Sequence, residues 1–285
     1  MSTNSPNATP APAVSVPAPK IDAAKAMQYT REAVAFGPRP IGSAAHAKLQ
    51  AWIREKLKND NLEEDKFSAD TPDGKFDMIN FIAKFPGTKD GIVVISGHYD
   101  TKMMKGFVGA NDGGSSTGLP LELANVLRAH KDGRPTVWIV LFDGEEAVKN
   151  WSATDSTYGS RHLAEKWQQE GILPKIKAFL LLDMIGDADL DIQRDTNSTS
   201  WLEDMVQQAA TKLGYGDHFF ATETPIEDDH LPFVKLGVPS ADLIDLDYGP
   251  NNSYWHTTKD TMDKLSAKSL EIVGNTVLQV VWDIK

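Results

Sequence analysis

Apolar positions along the chain follow two rhythms. Four runs are continuous or nearly so: Ile92 to Ser96, Val137 to Phe142, Ala178 to Leu182, and Ser240 to Leu246. Runs of this length and β-branched content predict strands buried on both faces. Between them, apolar residues recur every three or four positions. Leu49, Trp52, Ile53 and Leu57 mark one helix face, and Leu270, Val273, Val277, Val280, Val281 and Ile284 mark another. Strands alternating with helices in this way predict a largely parallel sheet with helices on both faces.

Local signals set the boundaries. Asp22 is placed to cap a helix running to Ala35, and Ser43 to open a second after the turn-rich Gly37 to Ser43. Lys66 to Thr71 and Phe76 to Phe85 read as two strands joined in a hairpin at Pro72-Asp73-Gly74. Helices are expected from about Thr117 to His130 and from Ser160 to Glu170. Ser200 to Glu203 has the form of a capping box, opening a helix that closes near Gly214. A short helix follows Asp228-Asp229-His230, and Ser266 caps the last one. No repeat or second boundary interrupts this order. The expectation is a tail over residues 1–20 and one three-layer α/β domain over residues 21–285.

The Ser-, Asn-, Pro- and Ala-rich segment Met1 to Lys20 lacks the apolar core of a signal peptide and predicts a disordered tail. Such tails often follow a removed signal, so a periplasmic or secreted mature form is favoured over a cytoplasmic one. A monomer is favoured. The balance of 29 basic and 40 acidic residues argues against nucleic acid or an anionic membrane as partner. No apolar run is long enough for a membrane span. The chain has no cysteine, so any metal must be held by oxygen and nitrogen ligands.

Chemistry-bearing residues follow the strands. The first buried run leads to His98 and, through the glycine-rich Gly109 to Ser115, to Asp112. The central run ends directly in Asp143-Gly144-Glu145-Glu146, the third in Asp183, and the loop after the fourth carries His256. Singly, each has an ordinary explanation as a cap, an acidic turn or a satisfied polar group. A parallel sheet brings its strand ends to one edge, where ligands gather. Six carboxylates and imidazoles in one crevice would repel and lose solvation, and a divalent cation relieves both costs. Carboxylate plus imidazole without thiolate suits zinc with one open position. Asp100 is spaced to orient His98.

Several strings carry a resemblance: His98-x-Asp100, Gly109-Ala-x-Asp112, Asp143-Gly-Glu-Glu146, Leu182-Asp-Met-Ile-Gly186 and the late His256. They resemble the zinc aminopeptidase-like superfamily. Phe142-Asp-Gly-Glu-Glu-Ala-x-x-x-Trp-Ser152, Asp155 to Ala164, Asp228-Asp-His-x-Pro-Phe233 and Trp255-His-Thr257 narrow the similarity to the glutaminyl cyclases. It covers roughly residue 36 to the C-terminus. The resemblance implies one zinc per chain held by Asp112, Glu146 and His256. It implies Glu145 as proton shuttle, with Asp183 and Asp228 as its hydrogen-bonded acidic partners. Trp151 and Trp255 would line a pocket for an N-terminal glutamine, and Glu227 stands where animal members carry a glutamine near the substrate. The implied reaction converts the N-terminal Gln of a peptide or protein to pyroglutamate with release of ammonia. The peptide beyond that residue is expected to lie in solvent.

The sequence departs from animal members by lacking their cysteine pair and by a polar loop, Tyr248 to Tyr254, where they place an aromatic wall. Two rivals stand beside this reading. A zinc aminopeptidase would use His98 and Asp183 for a second metal, with Asp112 bridging. A binding module on the same fold would need no shuttle or ligands, yet Glu145, Asp112, Glu146 and His256 are all intact.

Overall fold

A computed structural model describes residues 16–285. The expected tail over residues 1–20 therefore lies mostly outside the described residues. Its last part packs on the domain, with Val16 over Gly133 and Ala18 against the core.

Six strands form one mixed sheet in the order β1-β2-β4-β3-β5-β8. The strands are β1 (Glu63–Thr71), β2 (Gly74–Phe85), β3 (Lys89–His98), β4 (Pro135–Phe142), β5 (Ile176–Asp183) and β8 (Ser240–Ile244). The hairpin strands β1 and β2 are antiparallel, as is β2 with β4, whereas β4, β3, β5 and β8 run parallel. The continuous apolar runs are explained by the two-residue period of a strand. Val93, Ile95, Val137, Ile139, Leu141, Ala178, Leu180 and Leu182 face one core. Their neighbours Val94, Val140, Phe142, Phe179 and Leu181 face the other. Both sides need apolar residues because both are covered.

The larger layer holds α1 (Ala23–Val34), α2 (Ala44–Leu57), α3 (Ser115–Ala129), α5 (Ser200–Leu213) and α7 (Ala267–Asp283). The smaller layer holds α4 (Tyr158–Gln169) and α6 (Leu231–Lys235). Asp22 and Ser43 cap α1 and α2 through the amides of Lys25 and His46, and Ser266 caps α7 through Lys268. Every member of the predicted α7 stripe is buried. Each such side chain contributes about 1.5–3 kcal/mol relative to full exposure.

One local expectation is corrected. The N-cap of α5 is Thr199, not Ser200, and no side chain caps it. Glu203 is drawn away because its carboxylate accepts from the Asp195 amide at 2.9 Å inside the core. The structure also adds a two-stranded parallel sheet, β6 (Ile192–Asp195) with β7 (Phe219–Thr224). Neither strand has an apolar run to announce it, since four residues of mixed polarity suffice for β6.

Candidate metal centre and adjoining pocket

The register of the parallel strands brings their carboxyl ends level, with His98 opposite Phe142 and Ser96 opposite Leu181. His98 ends β3 and Asp183 ends β5, while Glu145 and Glu146 lie in the turn after β4. Asp112 sits in the loop before α3, and His256 in the loop after β8. All six predicted groups thus meet at one edge, and five of them are buried, His256 being partly exposed.

Two carboxylates outside the expected ligand set hold the turns in place. Asp100 accepts from the amides of Glu145 and Glu146 at 3.2 and 3.3 Å. Asp260 accepts from the amides of Asn111 and Asp112 at 2.8 and 3.2 Å, and from the Tyr248 hydroxyl at 2.7 Å. Asp100 also lies 3.6 Å from Nδ1 of His98, close to the orienting role expected of it. The buried guanidinium of Arg39 donates to the carbonyls of Tyr99 and Gly109 at 3.0 and 2.8 Å. It anchors the glycine-rich loop and offsets the acidic charge around it. That loop needs its glycines: a Cβ at Gly113 would stand 2.4 Å from the Asp100 carbonyl, at a φ of +78°. Behind the Glu-Glu turn, Asp143 accepts from the Ile79 amide and Gln50 and pairs with Nε2 of His46 at 2.7 Å. Sequence patterns flagged none of Arg39, His46 or Asp260, because each acts on groups brought close only by the fold.

Asp112 presents one oxygen to each of two triads. His256 Nε2 lies 3.3 Å from Asp112 Oδ2 and 3.4 Å from Glu146 Oε1. Both carboxylate oxygens are buried, and no hydrogen-bond donor reaches either. A tetrahedral ion with bonds of about 2.0–2.2 Å sets its donors roughly 3.3–3.6 Å apart. The triad therefore fits a small divalent ion in its spacing and its unsatisfied acceptors. On the other side, His98 Nε2 lies 3.3 Å from Asp112 Oδ1 and 3.1 Å from Asp183 Oδ1. That Asp183 oxygen also accepts from the Ser116 hydroxyl at 3.0 Å and from the Met184 amide at 2.8 Å. Its needs are met within the protein.

Burial lowers the His256 pKa, but Asp112 and Glu146 outweigh it and lift the imidazole to about 9. Glu145 is pushed well above the usual carboxylate range, first by burial and then by Asp228, Glu146 and Asp229, with His98 opposing. Asp228 is likewise raised, by burial and by Asp183 and Asp229. Asp183 and Asp228 thus share one acidic cluster with Glu145. Asp229, not singled out by the sequence, is raised to about 7 by burial, which the Ser160 hydroxyl and His98 only partly offset. Lys102, also missed, donates to Glu146 Oε2 at 3.1 Å from the cavity rim.

A cavity of about 300 Å³ opens over this edge, with Asp112, Glu145, Asp183, Asp228 and His256 at its base. Trp151, Trp255, Ile226, Ile244 and Leu246 form its sides. The tryptophans are 38 and 39% exposed, which assigns them to the pocket rather than the core. The Trp255 indole stacks on His256, with centroids 4.3 Å apart. Trp151 donates its Nε1 hydrogen to Glu227 at 3.2 Å. Backbone strain gathers here too. His256, Met184 and Thr157 all adopt left-handed φ near +48° (+49°, +47° and +46°), a conformation costing non-glycine residues about 1–2 kcal/mol.

Residues 80–281 match the model of peptidase family M28. A glutaminyl-peptide cyclotransferase of Drosophila melanogaster is 33% identical over 253 residues, 78% of this chain and 70% of the relative. Among solved structures, a glutaminyl cyclase from an Acidobacteriales bacterium is 49% identical, with a TM-score of 0.91 over 96% of this chain and 98% of that one. A Zn-dependent exopeptidase from Parabacteroides distasonis is 27% identical, with a TM-score of 0.83 over 94% of this chain and all of that one. No helix among the described residues is long and apolar enough to cross a membrane.

Proposed function

This chain belongs to peptidase family M28 and, within it, to the glutaminyl-peptide cyclotransferases, and from that premise we propose that it cyclises the N-terminal glutamine of peptides or proteins. The products are a pyroglutamyl N-terminus and ammonia. The observation that carries the reading is the pair of unlike carboxylates in one turn. Glu146 points its donor-free oxygen at His256, while Glu145, one residue earlier, borders the cavity as a buried acid.

Asp112, Glu146 and His256 are the residues that would hold one zinc. A zinc ion there supplies Lewis acidity to the γ-carboxamide oxygen of the substrate. Glu145 removes a proton from the α-amine as its nitrogen forms a bond to the carbonyl carbon of the side-chain carboxamide. It then gives a proton to the departing ammonia as the carbon–nitrogen bond of the amide breaks. Asp228, in one acidic cluster with Asp183, disfavours a further negative charge beside it, so that a proton stays available to Glu145. Trp151 and Trp255 hold the glutamine side chain curled, with amine and carboxamide in reach of each other. Glu227 fixes the Trp151 indole through its hydrogen bond. No water enters the reaction, which suits a cavity with aromatic walls.

One observation favours a second reading. His98, Asp112 and Asp183 form a group whose ligand atoms lie close enough to hold another ion, as a two-metal aminopeptidase would require. The product separates the two. A Gln-initiated peptide incubated with the metal-loaded protein should lose ammonia and keep every residue, as read by product mass. Release of free glutamine without ammonia would leave the aminopeptidase reading standing instead.

A further inference from the structure

A second cavity, of about 350 Å³, adjoins the first at Trp151. The two cavities share Trp151, Glu227 and Asp228 as a common wall. We infer that this second cavity is a subsite for the side chains that follow the N-terminal glutamine, and that it favours large apolar residues at substrate position 2 or 3. The inference rests on the cyclase reading, which places the first residue in the cavity over Glu145.

Continuity supplies the first argument. A peptide whose first residue is enclosed beside Trp151 must leave over the rim, and the exposed indole with its Glu227 bond is part of that rim. Beyond it the chain meets a recess rather than a flat surface. Lining supplies the second. Leu231, Pro232 and Leu236 of the α6 region are only partly buried and present apolar surface there, with the exposed Ala153 opposite. The backbone of the bound peptide also meets a donor here. Arg161 spends Nε and Nη2 on the Ser156 carbonyl at 3.1 and 2.9 Å, leaving Nη1 to meet a peptide carbonyl. Space, apolar surface and a donor in one recess are what an extended peptide segment uses. This revises the expectation that everything beyond the first residue lies in solvent.

The test compares ammonia release from Gln-Gly-Gly-amide, Gln-Leu-Gly-amide and Gln-Gly-Leu-amide by the zinc-loaded protein. One of the leucine peptides should exceed the glycine peptide in kcat/KM by about tenfold, mostly through KM, the discrimination that an apolar pocket supplies. Ala153→Arg, which fills the recess from an exposed position, should erase that advantage, bringing the leucine peptides to the kcat/KM of the glycine peptide measured on the same variant. Leu236→Arg, checked for an unaltered melting curve, should do the same from the other wall. Equal kcat/KM for all three peptides in the wild type would overturn the subsite while leaving the cyclase reading intact. A leucine advantage that survives both substitutions would also overturn it. Ammonia from none of the peptides would remove the cyclase reading, and the subsite with it.

Discussion

Asp112 serves two triads that are alike in composition and unlike in how their polar atoms are satisfied. With Glu146 and His256 it forms a group in which two buried acceptors meet no donor. With His98 and Asp183 it forms a group of similar spacing in which the Asp183 oxygen takes three donors. Distance alone would grant each a metal ion. Hydrogen-bond accounting separates them, because a buried acceptor without a donor costs about 1–3 kcal/mol and needs a counter-ion or a proton. The unsatisfied carboxylate oxygens are the ground for proposing the Asp112, Glu146 and His256 triad as the metal site and the triad around Asp183 as the support beside it.

The sharpest break of that comparison is on the unsatisfied side. Glu146→Gln should cost the protein its zinc and reduce cyclisation by several decades, since the ion's stabilisation of developing charge is worth several kcal/mol. Glu145→Gln should keep the zinc and lose about two to four decades in kcat, the usual contribution of a positioned acid and base. Zinc content and turnover measured on the same preparations distinguish holder from proton carrier. Wild-type turnover in Glu145→Gln would remove it from the mechanism.

On the satisfied side the expected effect is smaller. His98→Gln should leave zinc content unchanged and reduce turnover by about 10–100-fold, as for residues that orient a ligand without binding the ion. A loss of one metal equivalent on this substitution would make the second triad a metal site.

Much of this arrangement was legible in the amino-acid order, and the limits have physical reasons. Buried strands announce themselves by unbroken apolar runs, so β3, β4, β5 and β8 and the groups at their ends could be found. β6 and β7 are short and mixed in polarity, and only pairing defines them. The same divide runs through the site. Glu145, Glu146 and Asp112 follow directly from strand or loop pattern. Asp260 acts across 149 residues on the amide of Asn111, and His46 across 97 on Asp143. Those partners are a product of packing, with no local rhythm to betray them. Lys102 stands in a loop whose path is fixed by Arg39 and Thr101, again through contacts distant in sequence.

Two milder perturbations sharpen the picture around the metal. Trp255→Ala should reduce kcat/KM about tenfold without emptying the centre, because the indole positions substrate and packs on His256 but holds no ion. The smallest expected effect lies behind the Glu-Glu turn. Burial lowers the His46 pKa, but Asp143 more than reverses this and raises it above 6.5. A raised folded-state pKa means the pair's stabilisation is fully present below the unfolded value near 6.5. It is lost as pH rises through the raised value. His46→Gln should therefore lower Tm at pH 6 by on the order of 5 °C, with the gap to wild type narrowing at alkaline pH. A constant or widening gap in melting curves across that range would show that the pair acts by packing alone.

Where the metal sits decides between the two triads, and anomalous scattering at the zinc edge from crystals of the zinc-saturated protein reads this directly. The predicted result is one full-occupancy peak bounded by Asp112, Glu146 and His256, with Asp183 still held by Ser116 and His98. A second peak of comparable height between His98 and Asp183, bridged by Asp112, would contradict it.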